Sequence, residues 1–226
     1  VASYFKESLL RYEGIFSGGI LVAKGGHVLF EHYAGFTDYP KKIQPLQEDS
    51  PLHIASTSKT FTAIAILQLV QQQKISLDDT LELFFEKWPY PGVTIKQLLT
   101  HRSGLPNYTY FMEADKQGKI AYTNKDIIKW MIKHKPAPHA RPDSRFEYCN
   151  TNYLLLATLI EKTSGYSYPD FLRHSIFTFL GMKNTFVFEP GDAVKATPSF
   201  VNSSQQWPQD HLDLTYGDKN IYSTPR

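Results

Sequence analysis

The run Ile54-Ala55-Ser56-Thr57-Ser58-Lys59-Thr60-Phe61-Thr62-Ala63-Ile64-Ala65-Ile66-Leu67-Gln68-Leu69-Val70 decides how this chain is read. It is too long for a strand, and its apolar residues fall on almost every face of a helical wheel. A helix of that composition is buried all round. The run therefore predicts a central helix beginning near Ser56 and ending near Gln73. Ser56 and Lys59 then stand at i and i+3, on one face. A cation in the first turn opposes the helix dipole by ~0.3–1 kcal/mol, and burial disfavours its charge further. Such a lysine either finds acceptors or gives up its proton, and a neutral amine beside a hydroxyl is a general base. The helix N-terminus also aims backbone N–H groups at the space before Ser56, as an oxyanion hole requires, with the Ser56 N–H as candidate donor. The competing reading makes Ser56 a helix cap and lets Lys59 snorkel to water; the run by itself allows both.

Outward from this run, Gly19–Lys24 and His27–Tyr33 are β-rich stretches joined by Gly25-Gly26, a two-residue link that supplies the positive φ of a tight hairpin. Tyr4–Tyr12 suits a short helix. Thr94–Thr100 is another, ended by His101-Arg102-Ser103-Gly104-Leu105-Pro106. Asn124 is a candidate cap for a helix over Lys125–Lys133; Asn150–Thr163 and Tyr168–Leu180 are two more, stopped near Gly165 and by Gly181. After Phe200 only weak strand candidates follow. A two-stranded hairpin is marginal alone in water, so the first two strands want sheet partners that the sequence does not supply.

Bulk composition narrows the function classes. Hydrophobic residues make up 42% and charged residues 20%, an ordinary globular balance. Twenty-four Lys and Arg against 22 Asp and Glu leave a net charge of +2, with no basic clustering to suit nucleic acid. Cys149 is the one cysteine, so no internal disulfide forms, and no His-Glu-x-x-His or similar ligand spacing points to a metal. No cofactor is implied. No apolar run approaches the ~18 residues of a membrane helix. The start at Val1, without initiator Met or signal peptide, is read as a processed or trimmed terminus.

Single motifs are degenerate here. Ser-x-x-Lys occurs at Ser3–Lys6 and at Ser56–Lys59; Tyr-x-Asn occurs at Tyr122–Asn124 and at Tyr148–Asn150. Ordered context separates them. Ile54 to Ala63 resembles the nucleophile segment of class C β-lactamases, DD-peptidases and related esterases. Leu98-Leu99-Thr100-His101-Arg102-Ser103-Gly104-Leu105-Pro106 is similar to a second segment of that superfamily. Phe146-Glu147-Tyr148-Cys149-Asn150-Thr151-Asn152-Tyr153 resembles its Tyr-x-Asn segment, with Cys149 where Ser is common. Thr163-Ser164-Gly165 and Leu180-Gly181-Met182 follow in order, with Phe179 in place of the usual Pro.

The resemblance implies an α+β, β-lactamase/DD-peptidase-like fold: an antiparallel sheet flanked by helices plus a mostly helical region, the sheet incomplete in this chain. The expected organisation is residues 1–57 (helix and hairpin of the α/β region), 58–200 (mostly helical) and 201–226 (return to the α/β region). It implies Ser56 as acylated nucleophile and Lys59 and Tyr148 as its proton-handling partners, without saying which takes the proton first. Asn150 would bind the amide or ester side of the substrate. His101 belongs, on the same grounds, to a turn rather than to a Ser-His triad with Ser103, and Cys149 is read as structural. The superfamily's third element, a Lys-Thr-Gly or His-x-Gly triplet that lines the cleft and supplies the second oxyanion N–H, is not found after Tyr148. A chain truncated before that motif, poorly active alone and prone to self-association through an unpaired sheet edge, is therefore expected. The implied activity is a serine acyl hydrolase acting on an ester, amide or β-lactam in a small molecule or peptide. The alternative is a non-catalytic or acylation-only penicillin-binding or sensor module. Compartment is open; the resemblance alone favours an extracytoplasmic one.

Overall fold

Gly25 and Gly26 take φ of 58° and 77°, the left-handed values of a two-residue hairpin turn, and join β1 (Gly18–Lys24) to β2 (His27–Ala34). The pairing is antiparallel from Gly18 opposite Ala34 to Lys24 opposite His27, with an irregularity between Val22 and Ala23. The computed structural model describes residues 2–10, 16–38, 41–114, 121–202, 204–208 and 211–226. Helix α1 (Ala2–Leu10) lies against β2, with the Phe5 ring stacked on Phe30 at 5.3 Å. Its expected end at Tyr12 lies outside the described residues.

The chain divides into two compact units. The first comprises Val1–His53, Met182–Pro208 and Tyr222–Arg226. It holds the hairpin as a two-stranded sheet, open along both edges among the described residues, which is the condition for the self-association expected above. Short strands β3 (Leu52–His53), β4 (Phe186–Val187), β5 (Phe200–Asn202), β6 (Gln205–Gln206) and β7 (Ile221–Ser223) make a three-stranded sheet in the order β3-β7-β4 and a β5-β6 pair. Two- and three-residue strands carry no alternation to read, so the sequence offered only weak candidates after Phe200 and did not predict β3 or β4.

The second unit, Ile54–Gly181 and Gln209–Ile221, is helical. It contains α2 (Ser58–Gln71), α3 (Ile95–Leu99), α4 (Tyr108–Ala114), α5 (Asn124–His134), α6 (Asn150–Ser164) and α7 (Tyr168–Leu172), the last continued by one π-helical turn over Arg173–Phe177. Two expectations are corrected. The helix buried all round is α6, in which every residue from Thr151 to Ile160 is buried, and which packs on α2, α3, α4, α5 and α7. In α2 only the stripe Ser58, Lys59, Thr62, Ala65, Ile66 and Leu69 is buried, while Ile64 and Leu67 are about half exposed. Helix α5 is capped by Thr123, whose side chain receives the Asp126 N–H, and not by Asn124. Asn124 instead points inward and brackets Tyr216: its Oδ1 accepts the Tyr216 N–H and its amide donates to the Tyr216 carbonyl, both at 3.0 Å.

Candidate active site

Ser56 sits in a single 3₁₀ turn, Ala55–Thr57, that precedes α2. Ala55 enters the turn at φ 46°, a left-handed conformation that costs a non-glycine residue about 1–3 kcal/mol. The turn explains the i, i+3 contact better than an α-helix does, because at 3.0 residues per turn such positions eclipse. Lys59 Nζ donates to Ser56 Oγ at 3.2 Å.

Lys59 is buried, 6% exposed, so the snorkelling reading is excluded and the acceptor reading holds. Its second acceptor is the Asp218 carbonyl at 2.8 Å, 159 residues away in sequence. The polar head of the buried α2 stripe forms a set with the same segment. Ser58 Oγ accepts the Ile221 N–H at 3.1 Å, and Thr62 Oγ1 donates to the Gly217 carbonyl at 2.6 Å. Residues 217–221 thus lie strapped along the start of α2, which places an acceptor beneath the Lys59 ammonium. The Asp218 carboxyl is buried too. Its Oδ2 accepts from the Tyr108 hydroxyl at 2.9 Å, its Oδ1 has no partner among the described residues, and burial pushes its pKa up against the pull of Lys59 and Lys219.

Gly217 makes that approach possible. It has φ 100°, and a Cβ there would stand 2.3 Å from the Tyr153 carbonyl oxygen and 2.6 Å from Ala157 Cβ. Gly217→Ala is expected to destabilise the protein by about 1–3 kcal/mol, as overpacking does, read as a lowered urea midpoint.

Tyr148 reaches the same hydroxyl from the segment before α6: its OH donates to Ser56 Oγ at 2.8 Å. Lys59 Nζ lies over the Tyr148 ring, 4.9 Å from its centroid, and 5.7 Å from that of Tyr153. Ser56, Lys59 and Tyr148 therefore converge. Asn150, the first residue of α6, forms no hydrogen bond to any of them, and its Oδ1 is buried without a partner among the described residues. The competing motif copies resolve differently. Ser3 and Lys6 lie on the exposed face of α1, and Asn124 is spent on Tyr216.

Cys149 is buried, its thiol donates to the Leu105 carbonyl at 3.4 Å, and burial raises its pKa, all consistent with a packed thiol. Ser103 donates to Asn152 Oδ1 at 2.6 Å rather than to His101, so no Ser-His pair forms there. Sequence reasoning missed the Asp218 carbonyl, which leaves no side-chain signature, and the packing of Tyr153 under the ammonium.

The sequence profile of the family described as Beta-lactamase matches residues 7–226. The chain belongs to the β-lactamase family. Within it, penicillin-binding protein 4* of Bacillus subtilis (strain 168) is 38% identical over 173 residues, covering 76% of this chain and 38% of that protein. A D-aminopeptidase of Brucella anthropi is 32% identical over 169 residues, 74% of this chain and 32% of its own length. The chain thus spans about a third of the length of these curated relatives. Among solved structures, a penicillin-binding protein from Bacillus halodurans superposes with a TM-score of 0.82 at 28% identity, over 96% of this chain and 68% of that one. The α+β fold with antiparallel strands and a helical region, implied by the ordered motifs, is the fold this β-lactamase-family chain has.

Proposed function

We propose that this chain carries the serine acyl-transfer centre of a hydrolase, with Ser56 as nucleophile and Lys59 and Tyr148 as its proton relay. One observation carries the reading: Ser56 Oγ lies 2.8 Å from the Tyr148 hydroxyl and 3.2 Å from Lys59 Nζ, both within direct proton-transfer reach. As Oγ bonds to a carbonyl carbon, its proton passes to the Tyr148–Lys59 pair, which enters the step one proton short, as phenol with free amine or as phenolate with ammonium. The pair then returns the proton to the leaving nitrogen or oxygen as that bond breaks, leaving Ser56 acylated. Water repeats the sequence in reverse order, giving up a proton to the pair as it attacks the ester, and Ser56 recovers its hydrogen. The Ser56 N–H, in the turn ahead of α2, is the candidate oxyanion donor. Asn150, whose Oδ1 has no partner among the described residues, is the proposed contact for the amide or ester side of the substrate. Substrates are esters, amides or β-lactams. The likeness to a D-aminopeptidase places amides of D-configured residues first in the panel to be tried.

The test is the intact mass of the chain before and after a fluorophosphonate, beside Ser56→Ala. A single adduct, absent from Ser56→Ala, is the expected result; turnover assays with esters, D-amino-acid amides and penicillins then separate a hydrolase from a module that acylates and stops. Labelling that survives in Ser56→Ala would sink the assignment.

A further inference from the structure

The peptide on both sides of Tyr148 is held by a single residue. The Glu147 N–H donates to the His101 carbonyl at 2.8 Å, and the Cys149 N–H donates to His101 Nδ1 at 3.2 Å. A backbone N–H only donates, so Nδ1 is the unprotonated nitrogen of the ring. Asn152 donates to the same nitrogen at 3.3 Å, its own Oδ1 held by the Ser103 hydroxyl. The imidazole is buried and lies 4.5 Å, centroid to centroid, from the Tyr148 ring and 5.1 Å from that of Tyr153.

The backbone adds a second, independent sign. His101 follows the last turn of α3 with φ 54°, the left-handed position at a helix end where glycine is the unstrained residue. The His101 and Arg102 N–H groups close that end on the Leu98 and Gln97 carbonyls. A glycine would serve such a turn with less strain; it would supply neither ring nor acceptor.

We propose that His101 is a positioning residue of the acyl-transfer centre: as a neutral acceptor it fixes the peptide on either side of Tyr148, backs the Tyr148 ring, and so sets the phenol against Ser56. This rests on the reading of Ser56 and Tyr148 given above. Displacing a reacting group by about 1 Å can cost ~10²-fold in rate, so the effect should appear in the chemical step.

The experiment compares wild type, His101→Leu and His101→Asn for labelling of Ser56 by a fluorophosphonate, with the rate at saturating probe separated from the half-saturating concentration. His101→Leu is expected to lose ~10–100-fold in the saturated rate, with half-saturation changed by less than about two-fold. His101→Asn, whose amide oxygen can take the place of Nδ1, should recover most of the loss. Labelling of His101→Leu at the wild-type rate, or His101→Asn as slow as His101→Leu, would overturn the inference. Should His101→Leu not fold, His101→Phe keeps a ring without the acceptor and carries the same expectation. Amide hydrogen exchange at Cys149 supplies a readout independent of chemistry: protected in wild type and His101→Asn, unprotected in His101→Leu. A wild type that takes no label would defeat the acyl-transfer reading alone, and equal Cys149 exchange in wild type and His101→Leu would still overturn the role of His101.

Discussion

Replacing Lys59 by Met is expected to slow acylation of Ser56 by ~10²–10⁴-fold, the range over which a positioned acid or base contributes, while the protein stays folded. The two halves of that expectation have different causes. The rate falls because Met keeps the aliphatic stem and loses the cationic donor that reaches Ser56 Oγ and the Asp218 carbonyl together. Stability changes little because two terms oppose. The buried Asp218 carbonyl loses its donor, at about 1–3 kcal/mol, while a buried ammonium with its desolvation cost disappears. A time course of adduct mass gives the first quantity and a urea midpoint the second. Tyr148→Phe should show a loss of similar size, and the double variant little more than either single one, because groups that pass one proton act as a unit. Wild-type labelling in Lys59→Met would reduce Lys59 to a strap that holds residues 217–221 against α2.

The converging trio was legible because ordered segments around Ser56, Tyr148 and Gly181 spoke together, where each motif alone was degenerate. The hairpin was legible because Gly25-Gly26 has only one economical use. What misled was the equation of apolar with buried. Helix α6 buries Thr151, Asn152 and Thr158, and each polar group is answered inside. Thr151 Oγ1 donates to the Pro106 carbonyl at 2.7 Å and accepts the Tyr108 N–H at 2.8 Å, while Thr158 Oγ1 donates to the Leu154 carbonyl. In a sequence, a satisfied buried threonine cannot be told from a solvated one, so α6 looked less central than α2. Helix α2 erred in the other direction, with Ile64 and Leu67 half exposed and Ser58, Lys59 and Thr62 inside. Two other links of the site, Lys59 to the Asp218 carbonyl and His101 to the Cys149 N–H, end on backbone atoms. Residue type does not encode them; topology does.

Acid should destabilise this fold in part through His101. Burial disfavours the imidazolium, and the Lys59 ammonium repels it, so the ring titrates at about 4 instead of 6.5. Above pH 6.5 the ring is neutral in both folded and unfolded chains, and its stability contribution is complete. As pH falls from 6.5 towards 4, the unfolded chain takes up a proton that the folded protein refuses, and about 3 kcal/mol is lost over that window. Below about 4 the slope from this group vanishes. Among the described residues the ring is faced by Lys59 from α2, Phe146, Tyr148 and Cys149 from the segment before α6, and Asn152 and Tyr153 from α6; none is a carboxylate that would reward the charge. Asp218 works in the opposite sense: with its carboxyl pKa raised by burial, its contribution is present at low pH and is lost as pH rises through the folded value. The raw stability curve therefore mixes the two. His101→Asn separates them, since it retains an acceptor for the Cys149 N–H and has nothing to titrate. Between pH 7 and 4, wild type should lose about 3 kcal/mol more than His101→Asn in urea unfolding. Parallel curves would mean that the imidazole accepts a proton in the folded state as readily as in the unfolded one. A ring free to do so could not remain the acceptor that holds Tyr148 in place.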